Sequence, residues 1–287
     1  MNLEIQELAP THVKFSLVGT TLKVANALRR AMLEEVGIMA VDTIDFQMNS
    51  SIMTDEYLTH RIEMIPFVST NAILFLTQQE CGCENTSVTC VKCGVVFAIN
   101  VTNVQDVLLE VTANDMKCSD ERVYPIKYEI PMLIVKLQKG QSLRARISVH
   151  KGFGKTHAKW MAATSIAYFE KPHITLNSEL QASLNQEAKI NFVSVCPANV
   201  FALSAIQDIE TVDASKCTSC GACATQIPKL ACITSIANHF IFVVRTNGTL
   251  APEDLVARGM EVIQNKLQEL HTKPSLERFF AKKTKLL

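Results

Sequence analysis

Thr20-Thr-Leu-Lys-Val-Ala-Asn-Ala-Leu-Arg-Arg-Ala-Met-Leu-Glu-Glu-Val36 places Leu22, Ala25, Leu28, Met32, Leu33 and Val36 at three- and four-residue steps. That spacing predicts an amphipathic helix, capped by Thr20 or Thr21, with Arg29, Arg30, Glu34 and Glu35 on its polar face. Upstream, Val13, Phe15 and Leu17 alternate with polar neighbours beyond a turn at Ala9-Pro10, so residues 3–18 read as a β-hairpin. Downstream, Ile38, Ala40, Ile44, Phe46 and Met48 share one parity and predict a half-buried strand. Further strands fit 95–101, 133–137, 143–149 and 164–169, so the middle of the chain is mostly β. A buried strand at 240–244 leads to a helix start at Pro252-Glu-Asp254, whose stripe is Leu255, Met260, Ile263, Leu267 and Leu270. The basic stretch at 282–285 reads as solvated terminus.

The 287 residues are 48% hydrophobic, enough for one or two proper cores. No run of about 18 apolar residues predicts a membrane span, and the N-terminus has no secretory pattern, so a protein that stays inside the cell is expected. Lys plus Arg equals Asp plus Glu at 28 each, which leaves no global positive field for a phosphate backbone; little or no direct nucleic-acid contact is expected. Ten cysteines in a reducing compartment point to metal or redox chemistry where they cluster, and eight of them form two groups of four.

In the first group, Cys81-Gly-Cys83 and Cys90-Val-Lys-Cys93 put two close thiolate pairs on one short loop, 81–93. Four thiolates complete a tetrahedral zinc site and leave no position open for water, so this zinc would be structural. In the second, Cys217-Thr-Ser-Cys220-Gly-Ala-Cys223 is a C-x2-C-x2-C run, with Cys196-Pro197 upstream. In two-cluster ferredoxins the cysteine before proline ligates the other cluster. On that rule the mates of Cys196 would fall at Gln186, Lys189 and Phe192, and the second motif's own fourth position at Ile227. One ligand set is therefore wholly vacant, while Cys196, Cys217, Cys220 and Cys223 are the complete set of the other. A single four-iron four-sulfur cluster, structural because it has no second redox centre in the chain, is the preferred reading, with zinc in the same cage and a metal-free fold as alternatives. Cys118 and Cys232 match no ligand position and read as buried small hydrophobes.

Thr21-Leu-Lys-Val-Ala-Asn-Ala-Leu-Arg-Arg30, Ala40-Val-Asp-Thr-Ile44 and Asp55-Glu-Tyr-Leu-Thr-His-Arg-Ile-Glu-Met-Ile-Pro66 resemble the family of the bacterial α, archaeal D and eukaryotic third-largest polymerase II subunits. Leu137-Gln-Lys-Gly140 and Lys151-Gly-Phe-Gly-Lys-Thr-His-Ala-Lys-Trp160 match it in the same order. The resemblance implies an α+β chain with a discontinuous dimerisation domain, 1–40 and 239–287, around a β-rich domain at 41–175 and a ferredoxin-like insert at 176–238. It implies a non-catalytic subunit of DNA-dependent RNA polymerase, in the nucleus or, if archaeal, in the cytoplasm. The expected partners are a smaller α-like subunit, the largest and second-largest subunits, and small zinc-binding subunits.

The resemblance also places Leu22, Asn26, Leu28, Arg29 and Arg30 on the helix that meets those partners, with Leu255, Met260, Ile263 and Leu267 beside it. Lys155, His157, Lys159 and Trp160 would face the second-largest subunit. The aspartate set that binds metal for nucleotide addition is absent, and His157 has no partner for nucleophilic chemistry, so no catalytic residue is assigned. A ferredoxin-type redox protein and a zinc-dependent nucleic-acid module are the alternative classes; the neutral charge and 6% aromatic content argue against the second.

Overall fold

Helix α1 (Leu22–Glu34) forms on the predicted stripe, burying Ala25, Leu28, Ala31 and Met32, although Leu22 stands exposed one turn too early. The computed structural model describes residues 1–83, 90–118 and 120–272; the basic stretch at 282–285 lies outside them. Before α1 come the hairpin strands β1 (Asn2–Ala9) and β2 (His12–Val18). After it follow β3 (Ile38–Asn49), α2 (Asp55–Glu63), α3 (Gln78–Cys81), β4 (Gly94–Thr102), β5 (Leu109–Thr112), β6 (Leu133–Leu137), β7 (Ser142–Gly152) and β8 (Ala163–Leu176). Next are α4 (Ser178–Ser183), α5 (Gln186–Val195), β9 (Phe201–Leu203), β10 (Ile209–Thr211), α6 (Ala222–Gln226), β11 (Ala231–Thr246) and α7 (Pro252–Thr272). The sheets have the orders β1-β2-β11-β8 and β3-β7-β4, with β5-β6 and β9-β10 as two-stranded ribbons. No described helix is long and apolar enough to cross a membrane.

The chain divides into two compact units, each discontinuous in sequence. The first comprises Glu7–Lys14, Asn26–Ala167 and Val243–Leu287. Its core lies on β3-β7-β4, where a bulge corrects the predicted parity. Val41 pairs with Val149 and Thr43 with Ser148, which leaves Asp42 as an extra residue. The inserted residue shifts the alternation by one, so Met39 and Val41, rather than Ile38 and Ala40, share the core with Ile44 and Phe46. A second irregularity at Gln47 turns Met48 out to solvent, 50% exposed. Helix α2 was not predicted, because only Leu58 and Ile62 of its nine residues are buried and one i, i+4 pair carries little periodicity.

In this unit the two ends of the chain meet. A Cβ on Gly259 of α7 would lie 2.5 Å from Cγ of Met32 and 3.6 Å from Cδ1 of Leu28, so the glycine is what lets α7 approach α1 so closely. Lys266 pairs with Glu35 beside that contact. Arg258 donates to the carbonyl oxygens of Ser69 and Thr70 (3.3 and 2.7 Å), tying α7 to the segment after α2.

The second unit comprises Met1–Gln6, Phe15–Ala25 and Tyr168–Phe242. Phe15 stacks on Phe242 at 5.0 Å and Tyr168 lies against the same ring at 5.3 Å, consistent with β2, β11 and β8 as neighbours. Both β8 and β11 run well beyond their predicted spans. On the added lengths Ile174, Leu176 and Ile233 pack against a core while His173 and Thr175 are exposed, and Thr234 Oγ1 donates to the His173 carbonyl across the strands. A separate core packs Phe192, Val200, Phe201, Ile209 and Leu230 with Cys196 and Cys223. Asn177 and Asn185 cap α4 and α5 through their side-chain oxygens.

Gly259→Leu must drive a branched side chain into Met32 and is expected to cost about 1–3 kcal/mol of stability. The readout is a lower denaturant midpoint with an unchanged slope; an unaltered midpoint would show that α1 and α7 do not pack at this point.

Candidate metal centres and interface residues

The first cysteine group is assembled by two tight local turns. Thr77 and Glu80 form a reciprocal cap at the start of α3, and Gly82, with φ +60°, ends it in the left-handed region that favours glycine. That reversal puts Cys81 and Cys83 on one site. On the other side the amides of Cys93 and Gly94 both donate to the Cys90 carbonyl, at 3.2 and 3.1 Å. Cys81 and Cys90 sulfurs lie 3.5 Å apart, Cys83 and Cys93 likewise, and all four fall within 4.8 Å of one another. A zinc–sulfur bond of about 2.3 Å requires tetrahedral sulfur edges of about 3.8 Å, so the set fits one ion. Residues 84–89 of the 81–93 loop lie outside the described residues.

The site is also electrically poised for a cation. The Lys92 amide, followed by the Cys81 thiol, lowers the Cys90 thiol to about 6. Burial pushes Cys93 up, and the Cys90 sulfur does the same to Cys81. A divalent ion would supply the charge that lets the thiols ionise as ligands.

The second group lines one small pocket, with Ala198, Val200, Phe201 and Ile233 as its apolar wall. Cys196 ends α5 and accepts from the Val200 amide at 3.5 Å; Cys223 is buried in α6, Cys217 half-buried and Cys220 exposed. Ser219 and Gly221 both have positive φ (53° and 76°), so the Cys217–Cys223 run curls around the cavity. Burial raises the Cys223 thiol, and Cys217 and Cys220 raise it further as like charges. Among the described residues, only the first group brings three or more potential ligand atoms within 4.8 Å.

The positions expected for the vacant ligand set have other occupations. Phe192 is fully buried against Phe201 at 5.0 Å, Ile227 packs on the same core, Lys189 pairs with Asp208 at 2.8 Å, and Gln186 is exposed. Cys118 packs against the β-sheet core and accepts from the Asp120 amide. Cys232 is exposed, contrary to its reading as a buried hydrophobe, because its neighbour Ile233 takes the inward position on β11.

The expected interface residues sort by direction. On α1, Leu22 and Asn26 are exposed, Arg29 donates to Asn26 at 3.1 Å, Arg30 pairs with Glu34, and Leu28 faces inward. On α7, Leu255 is buried, Met260 and Ile263 are half-buried, and Leu267 is 61% exposed. Lys155 and His157 point outward, whereas Lys159 and Trp160 turn into their own unit. The Lys159 ammonium lies 3.5 Å from Glu63, 3.9 Å from Asp42 and over the Trp160 ring at 4.6 Å, and the indole N–H donates to the His150 carbonyl.

Asp42 and His150 complete this buried charged cluster and had no signal in sequence. Asp42 comes inward only through its bulge. His150 Nδ1 sits 3.5 Å from the Asp42 carboxylate, an electrostatic contact that leaves the ring nitrogen without a hydrogen-bond partner. The His150 imidazole first, then Lys159 and Gln78, hold the Asp42 carboxyl below its usual range against the opposing effect of burial.

Residues 29–167 match the family described as the RNA polymerase Rpb3/RpoA insert domain. The chain is similar to DNA-directed RNA polymerase II subunit rpb3 of Dictyostelium discoideum, 33% identical over 285 residues that cover 93% of each chain. It is 31% identical to DNA-directed RNA polymerases II, IV and V subunit 3 of Arabidopsis thaliana, over 92% of this chain and 88% of that relative. It is 29% identical to DNA-directed RNA polymerase subunit Rpo3 of Methanosarcina acetivorans, over 94% and 97% respectively.

Because the Asp42 carboxyl is depressed on folding, its contribution to stability is present above the ordinary carboxyl range, about pH 3.9, and is lost as pH falls through the lowered value. Asp42→Asn should therefore lower stability at neutral pH and flatten the decline below about pH 4. Denaturant titrations across that range in both proteins check this; parallel curves would count against it.

Proposed function

The chain belongs to the RNA polymerase Rpb3/RpoA family, and from that premise we propose that it dimerises with a smaller α-like subunit and scaffolds the two large catalytic subunits. It is an assembly subunit of RNA polymerase rather than the catalytic chain. The observation that carries the proposal is the contact of α1 with α7 at Gly259: two chain ends build one element pair, while each helix keeps apolar residues exposed. Leu22 and Val24 are 56% and 44% exposed, and Leu267 and Leu270 are 61% and 52% exposed. Apolar side chains left in water along a helix are a surface for a partner. In this reading 1–40 and 239–287 make the dimerisation domain, with the β-rich domain at 41–175 inserted.

Lys155 and His157 stand outward for the second-largest subunit, with Lys159 and Trp160 shaping that segment from beneath. The small zinc-binding subunits complete the partner set, and neutral net charge leaves little role in holding nucleic acid. The location is the nucleus, or the cytoplasm in an archaeal host.

Both cysteine groups act as staples. Cys81, Cys83, Cys90 and Cys93 hold zinc, with four sulfurs at tetrahedral spacing and no open position. Cys196, Cys217, Cys220 and Cys223 hold a four-iron cluster, favoured over zinc by the C-x2-C-x2-C run with Cys196-Pro197 upstream, in a ferredoxin-like insert at 176–238. A cluster there joins the end of α5 to the start of α6 and adds to a small core built around Phe192 and Phe201.

Co-expression with the smaller partner should yield a soluble heterodimer, and Leu267→Asp with Leu270→Asp should shift the chain out of it on size-exclusion chromatography. A monodisperse chain indifferent to the partner would refute the dimerisation reading. Anaerobic purification should give brown protein with about four irons, and Cys220→Ser should bleach it. Colourless protein with zinc in both sites would refute the cluster alone.

A further inference from the structure

The four-cysteine loop is fastened at both ends to the charged cluster that holds Lys159 and Trp160. At its entry, Gln78 of α3, three residues before Cys81, donates from Nε2 to the Asp42 carboxylate at 3.0 Å. At its exit, Gly94, directly after Cys93, lies against the His150 ring: a Cβ there would sit 2.5 Å from Cδ2 and 2.6 Å from Nε2. Asp42 and His150 are themselves 3.5 Å apart, so both fastenings converge on one pair.

The other side of that pair is the segment after β7. Lys159 reaches Asp42, and the Trp160 indole donates to the His150 carbonyl at 3.2 Å. Trp160 lies directly on Gly152, where a Cβ would fall 2.3 Å from its ring. His157 closes the turn by accepting the Lys159 amide at Nδ1, 3.0 Å away, and stays exposed itself. The arrangement has no slack. Asp42 touches Gln78 on one side and His150 and Lys159 on the other, so a shift of Gln78 reaches Lys159 and Trp160 through it.

We propose that metal occupancy of the Cys81–Cys93 loop sets the conformation of the outward-facing turn at 155–160, through Asp42 and His150. The proposal rests on the zinc reading above and deepens it: the metal is a conformational control on a partner-facing segment as well as a local staple. With the ion present, Gln78 and Gly94 are held at fixed spacing, Asp42 stays in its bulge, and Lys159 remains drawn between Asp42 and Glu63. With the loop empty, Asp42 loses the Gln78 tether, Gly94 stays opposite His150 in the β4–β7 register, and the turn bearing His157 loosens through Lys159.

Hydrogen–deuterium exchange on the full chain, co-purified with its partner and assayed for zinc, tests this. Removing the metal with a chelator, or by Cys90→Ser, should speed exchange in peptides spanning 157–161 and leave 133–137 in β6 protected. In Asp42→Asn the 157–161 peptides should exchange fast with the metal still bound, and chelation should add nothing. Gln78→Ala, at an exposed position, carries the same expectation if the Asp42 variant does not fold. A zinc-loaded chain whose 157–161 exchange ignores metal removal overturns the relay and leaves the zinc site standing, as does an Asp42→Asn or Gln78→Ala protein that responds like the wild type. Loosening spread evenly through 133–137 also overturns it, since that is plain loss of stability. A chain purified without metal overturns both readings.

Discussion

Helices from opposite ends of the chain touch because Gly259 offers no side chain at the point of closest approach to Met32 and Leu28. Closing so long a loop is entropically unfavourable, and the cost grows only slowly with length. A close helix contact, the Lys266–Glu35 pair and the two Arg258 hydrogen bonds offset it. The β3-β7-β4 sheet packs its own core with α2 and the β5-β6 ribbon, and Arg258 of α7 fastens the segment after α2 to the helix pair.

Two cysteine sites do different mechanical jobs on that frame. Among the described residues of the 81–93 loop only Cys93 is buried. The backbone turns at Gly82 and Cys90 aim its sulfurs at one point. The Cys196 to Cys223 cage is the reverse case. It sits in a small hydrophobic core with Phe192, Phe201 and Leu230, and its sulfurs surround a cavity instead of a point. The same residue type thus gathers at a point in one place and lines an apolar pocket in the other.

Buried charge is the least conventional part of the first unit. Lys159, Asp42 and Glu63 are mostly removed from water, and His150 Nδ1 lacks a hydrogen-bond partner. Such a cluster adds little net stability compared with apolar packing, but it admits few alternative arrangements, because any displaced member leaves an uncompensated charge. That intolerance is what can connect a loop on one side to a turn on the other.

Local periodicity alone determined the terminal helices, the hairpin and the positions of most strands, since burial of one face every 3.6 or 2 residues is written in the order of residue types. Cysteine spacing likewise marks the two groups of four that the fold gathers, one around a point and one around a pocket. Tertiary structure alone decided the rest. The Asp42 bulge reversed the parity of β3, because an extra backbone residue leaves no mark on composition yet moves every later side chain to the other face. The full lengths of β8 and β11 are set by their pairing with each other, which the residues of one segment do not record. Lys159 and Trp160 point inward because Gly152 and Asp42 receive them, and a sequence read one segment at a time contains no term for what lies opposite.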